Sequence, residues 1–237
     1  MLLAVTGASG KTGWRVVQEA LQRGHAVRAI VRPGSAIPEP LRGAELVRLR
    51  LGDRGGLTEA LRGCDALVIA TGARPSIDLT GPLQVDAIGV RQQIEACQAT
   101  GVSRVVLVSS LCAGLWRHPL NLFGLILVWK RLGERWLEQS GLAYTVVRPG
   151  GLNEQEQDLP LQRLRFSGPD QQRDGSIPRR LVARVCLDAL ETPASVGRVL
   201  EITSRAEASS TRASSTDVSS PVASSAAADS GLAAWLA

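Results

Sequence analysis

The chain has 237 residues, of which 27 are basic, 22 are acidic and 44% are hydrophobic, and its net charge is +5. This composition is typical of a folded globular protein and excludes the disordered, collagen-like and coiled-coil classes, while the length suits one large domain. The arginines are scattered and aromatic residues amount to 3% of the chain, so a surface for small anions is favoured over nucleic-acid binding.

Short apolar segments alternate along the chain with segments of helical periodicity. The predicted strands are residues 2–6, 26–31, 46–51, 66–70, 104–108, 143–147 and 199–202. The predicted helices are residues 11–23, 85–99, 122–139 and 177–190. Strands that are separated by helices pair in parallel through right-handed crossovers. The pattern therefore predicts a Rossmann-type, doubly wound α/β fold, in which a mostly parallel sheet carries helices on both faces.

The predicted domain covers residues 1–203 and includes a small substrate-side segment at about 152–175. Residues 204–237 form a Ser/Ala-rich tail, with ten residues of each type. Such a sequence cannot bury enough apolar surface to fold alone, so a disordered tail is predicted. Leu232, Trp235 and Leu236 have the spacing of one helix face, but a frayed terminus is the favoured interpretation over a docking peptide.

The cysteines and the apolar segments favour a reducing, non-membrane setting. Cys64, Cys97, Cys112 and Cys186 lack metal-binding spacing, so we expect free thiols and no metal site. No apolar segment is long enough to span a membrane, and the amino terminus lacks the pattern of a signal peptide. These features predict a cytoplasmic location. The apolar segment 120–129 is predicted to pack in the core or against a second subunit.

A glycine-rich motif, Thr6-Gly-Ala-Ser-Gly-Lys-Thr-Gly13, follows the first predicted strand directly. In a strand–turn–helix unit, such glycines allow a tight turn, a close approach to pyrophosphate and close packing of the helix on the strand. A P-loop is disfavoured because Val5 stands where that motif requires a glycine. The helix amino terminus also attracts phosphates. The motif therefore predicts a dinucleotide site that includes Gly7, Ser9, Gly10, Lys11, Thr12 and Gly13.

The end of the second predicted strand indicates which dinucleotide binds. An acidic residue there would bind the ribose hydroxyls of NAD, whereas this chain has Arg32 and no acid until Glu39. A guanidinium pairs well with a phosphate, so Arg32 predicts NADP(H), with Lys11 as a second positive charge. The alternative is a solvated arginine at the end of a strand.

These motifs resemble the atypical short-chain dehydrogenase/reductases with an NAD(P)-binding, NmrA-like domain, and in particular their plant and cyanobacterial branch. The resemblance covers residues 1–203 and rests on the glycine motif followed, in order, by residues 52–53, 70–73, 108–110, 128–131 and 148–151. It implies that Asp53 faces the adenine and that Thr71 and Gly72 line the middle of the cofactor. It also implies that Pro149 and Gly150 border the nicotinamide.

The catalytic pair of that superfamily is a tyrosine and a lysine four residues apart on one helix face. Lys130 can hold the nicotinamide ribose, but Ile126 stands where the proton-donating tyrosine is expected. His118 could protonate a substrate near neutral pH, although a structural loop histidine is the favoured interpretation. Ser110 could hydrogen-bond a substrate oxygen. Cys112 could be reactive, although a buried, inert thiol is favoured.

Two functions remain open from the sequence. The first is an NADP(H)-dependent oxidoreductase that acts on an unidentified small substrate, and Lys130 favours it. The second is a catalytically silent redox sensor or assembly protein whose NADP(H) occupancy alters contacts with a protein partner or a second copy, and the missing tyrosine favours it.

Overall fold

The computed structural model describes residues 1–73, 80–157, 159–206 and 231–237. Within these ranges, ten strands form one sheet in the order β3-β2-β1-β4-β5-β6-β10-β9-β7, with β8 paired antiparallel to β10. The strands are β1 Leu2–Thr6, β2 Ala26–Val31, β3 Glu45–Arg48, β4 Ala66–Ile69, β5 Arg104–Val108, β6 Ala143–Pro149, β7 Gly151–Asn153, β8 Gln162–Ser167, β9 Ser176–Pro178 and β10 Arg198–Ala206. The pairs from β3 through β6 to β10 are all parallel, which confirms the predicted doubly wound fold.

Helices cover both faces of this sheet. They are α1 Gly13–Gln22, α2 Arg54–Leu61, α3 Thr80–Pro82, α4 Gly89–Thr100, α5 Ile126–Glu138, α6 Arg179–Glu191 and α7 Leu232–Leu236, and a π-helical segment, Leu83–Ile88, joins α3 to α4. Helices α1 and α6 pack together, as do α2, α4 and α5. No helix within the described ranges is long and apolar enough to cross a membrane.

Two apolar cores lie on the two faces of the sheet. Successive side chains of a strand point to opposite faces, and in β1 the buried Leu3 and Val5 belong to one core while Ala4 belongs to the other. The central strands β1, β4 and β5 are buried on both faces, which explains their nearly continuous apolar sequences. The carboxyl ends of the parallel strands therefore meet at one edge, where a doubly wound fold binds ligands.

Some predicted boundaries are wrong for local reasons. The long helix begins at Ile126 and not at residue 122, because Leu125 has a positive φ of 55° and the Asn121 side chain accepts the Leu127 N–H at 3.0 Å. Helix α2 escaped prediction because Gly55 and Gly56 weaken its helical pattern. The predicted substrate-side segment contains β8, and β10 continues three residues beyond the predicted domain end at 203.

The end of the chain packs on the core, so the favoured interpretation of a frayed terminus is wrong. Leu232 of α7 is buried in the core beside α6, and Trp235 stacks on Phe166 with ring centroids 5.8 Å apart. Burial of apolar side chains offsets the entropy of ordering such a short helix. Residues 207–230, which carry most of the predicted disordered tail, lie outside the described residues.

We expect Leu232→Ala to lower the free energy of unfolding by about 2 kcal/mol, since the side chain is buried in the core. The melting temperature should fall by about 4 °C. Ala233→Ser, on the exposed side of the same helix, should leave it almost unchanged. An unchanged melting temperature for Leu232→Ala would show that α7 does not hold its place in solution.

Candidate functional site

A long cleft follows the carboxyl edge of the sheet. It consists of two cavities of about 680 and 590 Å³ that share Gly10 and residues 70–73 as common walls. Lys130 lies in the wall of the larger cavity, and Arg32 lies in the wall of the smaller one. The two cavities therefore adjoin along these shared walls, and the residues at their far ends differ in chemistry.

The glycine motif forms the turn between the two cavities. Gly7 has a positive φ of 68°, and a Cβ placed on it would lie 2.7 Å from the Ala70 carbonyl oxygen. The Gly10 N–H donates to the Gly7 carbonyl at 2.8 Å. A Cβ on Gly13 would overlap that same carbonyl. Only glycine is tolerated at these tightly packed positions, so the amino terminus of α1 opens directly onto the cleft.

Lys130 is held inside the larger cavity by a buried carboxylate. Its Nζ donates to Asp86 Oδ1 at 2.7 Å, and the two side chains are 13% and 2% exposed. The Ala73 N–H donates to the other Asp86 oxygen at 3.2 Å. Asp86 therefore fixes the lysine beside the loop that follows β4. Sequence reasoning missed Asp86, although it is the one acid in the segment Val85-Asp-Ala-Ile-Gly-Val90.

Two buried hydroxyl groups in the cleft lack a hydrogen-bond partner among the described residues. Thr71 Oγ1 and Ser109 Oγ form no hydrogen bond with any described part of the chain. Thr71 lines both cavities, and Ser109 lines the larger one. A buried polar group without a partner is costly, so these atoms point to a polar ligand. Together with the glycine turn, they fit the amide, ribose and phosphate groups of a nicotinamide dinucleotide.

Arg32 gives the smaller cavity its positive charge, and Arg32 and Arg50 together line a third cavity that shares Ser35 and Leu51 with it. Both arginines are exposed, and neither pairs with an acid in the described ranges. Asp53, which the resemblance directs towards the adenine, instead accepts the Gly56 N–H at 2.9 Å and caps α2. Its side chain does not line the cavities, and Leu49 and Leu51 form that wall. Sequence reasoning missed Arg50, which follows β3.

The segment after β7 supplies acids to the amino-terminal end of α1. Glu154 pairs with Lys11 and, at 3.6 Å, with Arg179, while Glu156 pairs with Arg15. The hydrogen bond from Lys11 lowers the pKa of Glu154, which therefore stays charged near neutral pH. Lys11 thus lines the larger cavity, and its charge is shared with Glu154.

The larger cavity brings together the other predicted site residues. Those that line it are Thr12, Ser110, His118, Pro149 and Gly150, whereas Ser9 lines the smaller cavity. The Leu120 N–H donates to His118 Nδ1 at 3.2 Å, which leaves the proton of the neutral ring on Nε2. Ile126 occupies the wall where a tyrosine would be expected.

The Cys112 side chain forms a hydrogen bond and does not have the features of a reactive thiol. Its Sγ donates to the Arg173 carbonyl at 3.5 Å. Burial raises the pKa of this thiol, so it carries its proton at neutral pH. The thiol rather than the reactive thiolate is thus the prevailing form, as the favoured interpretation of Cys112 expects.

A buried ion cluster fixes the floor of the cleft next to Pro149. The Arg148 guanidinium donates to Glu134 at 2.7 and 2.9 Å and to Asp170 at 3.0 Å. Glu201 also accepts the N–H groups of residues 170, 171 and 172 at 2.7–3.0 Å. Burial alone lowers the pKa of Arg148, but the hydrogen bond and charge of Glu134 outweigh it and raise that pKa. The cluster therefore joins α5, β6 and β10 to the loop that carries Arg173.

Three comparisons identify similar proteins. A family model described as NAD(P)H-binding matches residues 7–193. An uncharacterized chloroplastic protein of Arabidopsis thaliana is 38% identical over 86% of this chain and 77% of its own length. Sanguinarine reductase of Eschscholzia californica is 29% identical over 87% of this chain and 90% of its own. A Bacillus halodurans structure, assigned to the NAD-dependent epimerases/dehydratases, superposes with a TM-score of 0.78 at 29% identity, covering 87% of this chain and 95% of that one.

The expected cytoplasmic location is contradicted by these relatives. The Arabidopsis protein is chloroplastic, and so is a second Arabidopsis protein that is 34% identical. The chloroplastic protein TIC 62 of the same plant is 33% identical over 64% of this chain, although the match covers only 27% of TIC 62. Free cysteines indicate a reducing compartment, but they do not distinguish the cytoplasm from a plastid.

Proposed function

Because the chain belongs to the NAD(P)H-binding family, as the resemblance of its motifs predicts, we propose that it is an NADP(H)-dependent oxidoreductase acting on a small substrate. The observation that carries this proposal is the buried pair of Lys130 and Asp86 at one end of the cleft. The bound cofactor would supply a hydride for reduction of the substrate. Relatives include a reductase and a protein assigned to the epimerases/dehydratases, which supports redox chemistry of this class.

Lys130 would bind the nicotinamide ribose and stabilise negative charge on the substrate. The contact with Asp86 restricts the position of the lysine beside Gly72, where an added Cβ would lie 3.7 Å from Nζ. Thr71 and Ser109 would donate or accept the hydrogen bonds that their hydroxyls lack. A preorganised cation of this kind stabilises charge that develops during reaction.

Arg32 and Arg50 support NADP(H) as the cofactor. Two guanidinium groups at the adenosine end suit a ribose phosphate, which is a dianion that accepts several charge-assisted hydrogen bonds. Lys11, Thr12 and the α1 amino terminus would bind the pyrophosphate. The smaller cavity lacks an acidic wall residue within the described ranges, so no carboxylate there accepts hydrogen bonds from the free ribose hydroxyls of NAD.

A second function is favoured by Ile126. Without the hydroxyl of a tyrosine, the cleft lacks the usual proton donor at that position. The protein would then act as an NADP(H)-dependent redox sensor or assembly factor, with a protein or second-copy partner that responds to cofactor binding. Lys130 and Asp86 favour the enzyme, because a binding module needs no fixed charge at the nicotinamide end.

Turnover separates the two functions. Purified protein should oxidise NADPH in the presence of at least one member of a panel of quinones, flavins and carbonyl compounds. The reading is the loss of NADPH absorbance, corrected for the same mixture without protein. Clear NADPH binding with no turnover across the panel would support the sensor and contradict the enzyme.

A further inference from the structure

The end of the cleft that contains Lys130 has a wall of exposed apolar side chains that are not part of the buried core. We call Leu120, Phe123 and Leu152 the apolar lip; all three line the larger cavity, with exposed fractions of 41%, 51% and 38%. Leu111 and Ile126 continue the apolar surface into the cavity. Exposed apolar side chains around a cavity are typical of a site that buries an apolar ligand.

Positive charge lies beside this lip. Four basic residues (Lys11, Lys130, Arg173 and Arg179) and one acid, Asp174, are found among the described residues of the cavity wall. Lys11, Lys130 and Arg179 pair with acids, whereas Arg173 pairs with none in the described part of the chain. A wall of this charge attracts anions.

The position of Arg173 is fixed by the buried ion cluster. The backbone N–H groups of the three residues before it, 170 to 172, all donate to Glu201. The carbonyl of Arg173 accepts from Cys112 Sγ. The positive charge of Arg173 acts on that same thiol, since it opposes the rise in the Cys112 pKa that burial causes. Arg173 is therefore anchored next to the cavity with its charge available to a ligand.

Ile126 limits the kinds of acceptor that the cleft can reduce. Hydride addition to a simple ketone leaves an alkoxide, a strong base that forms readily only where a positioned side chain transfers a proton as the hydride arrives. Hydride addition to a quinone leaves a phenolate-type anion, whose conjugate acid has a pKa near about 10. The charge of Lys130 can stabilise that anion, and water can supply its proton. The side chains of the cavity thus favour conjugated acceptors.

Resting on the proposed reductase function, we propose that the substrate is a flat, conjugated acceptor of the quinone type that carries a carboxylate or sulfonate group. The apolar lip contacts the rings, and Arg173 binds the anionic group. In the reaction NADPH, the quinone and one proton yield NADP⁺ and the hydroquinone. The ring accepts a hydride from the cofactor, and water supplies the proton.

Two probes of the same ring system test the charge preference. Naphthoquinone sulfonate carries the anion, and menadione is the neutral comparison. For each probe, both the dissociation constant from the complex of the protein with NADP⁺ and the KM with NADPH are measured. Arg173→Gln should raise both the dissociation constant and the KM of naphthoquinone sulfonate by about tenfold, as expected for the loss of one charge-assisted hydrogen bond at a partly open site. The same two constants for menadione should change by less than about twofold.

Two controls keep the outcome specific. Arg117→Gln removes the same charge from an exposed residue that does not line the cavity, and it should leave both probes unchanged. Arg173→Gln should also leave the NADPH dissociation constant unchanged. Equal weakening of both probes, or weaker NADPH binding, would overturn the proposal that Arg173 binds the substrate anion. No turnover of any acceptor by the unmodified protein would contradict the reductase function itself, whereas binding of naphthoquinone sulfonate no tighter than menadione would overturn only this inference.

Discussion

Arg148→Ala should lower the free energy of unfolding by about 3–5 kcal/mol, as expected when one partner of a buried ion pair is removed. Arg148 is 1% exposed, and the substitution leaves Glu134 and Glu201, both fully buried, without this cation. It also leaves a void where one of the largest fully buried side chains had packed. Urea unfolding followed by tryptophan fluorescence measures the change.

The control for this prediction removes the exposed partner of the same cluster. Asp170→Asn keeps the shape of a side chain that is 50% exposed, and asparagine tolerates the positive φ of 62° at this position. It should cost less than about 1 kcal/mol. A similarly small loss for Arg148→Ala would mean that the cluster does not stabilise the fold, and that the anchoring of the Arg173 loop needs another cause.

Lys130→Ala should lower kcat by about a hundredfold or more, because a positioned side chain that manages charge and protons commonly contributes this much. The variant loses the cation at the nicotinamide end and leaves Asp86 buried without its partner. NADPH should still bind, since the glycine turn, Arg32 and Arg50 are intact. Steady-state kinetics with the best acceptor of the panel, beside an NADPH titration, separates the two effects.

Two further variants show whether loss of Lys130 acts through the site. Arg135→Ala removes a basic side chain from the exposed face of the same helix and should leave kcat unchanged. Asp86→Asn keeps Lys130 but weakens its restraint, so it should lower kcat less than Lys130→Ala does. If Lys130→Ala retains full kcat, Lys130 has no role in the reaction.

The local parts of the site are predictable from the sequence. The glycine motif predicts the turn at Gly7 and Gly13 because backbone geometry allows only glycine there. Arg32 is predictable because it directly follows the second strand, and Lys130 because it stands at the lysine position of the family's helical pair; both line the cleft. Strand and helix periodicity likewise predicts the parallel order of the sheet.

The parts that depend on distant contacts were not predictable. Asp86 contacts Lys130 across 44 positions of sequence. It lies in a π-helical segment at the start of the predicted helix 85–99, and helical periodicity does not indicate a contact with so distant a residue. The cluster of Arg148, Glu134 and Glu201 joins three separate elements. Composition alone predicts that the end of the chain is frayed. Leu232 is nevertheless buried in the core, through tertiary contacts that composition does not indicate.

Binding of the two cofactors to the unmodified protein decides whether the cleft is specific for NADP(H). Calorimetric titrations with NADPH and with NADH, both at the same salt concentration, give the two dissociation constants. NADPH should bind at least about tenfold more tightly, as expected for charge-assisted contacts of a phosphate with Arg32 and Arg50. Arg32→Asp should remove most of that difference. Equal affinity for the two cofactors, or no binding of either, would contradict the assignment of the cleft to NADP(H).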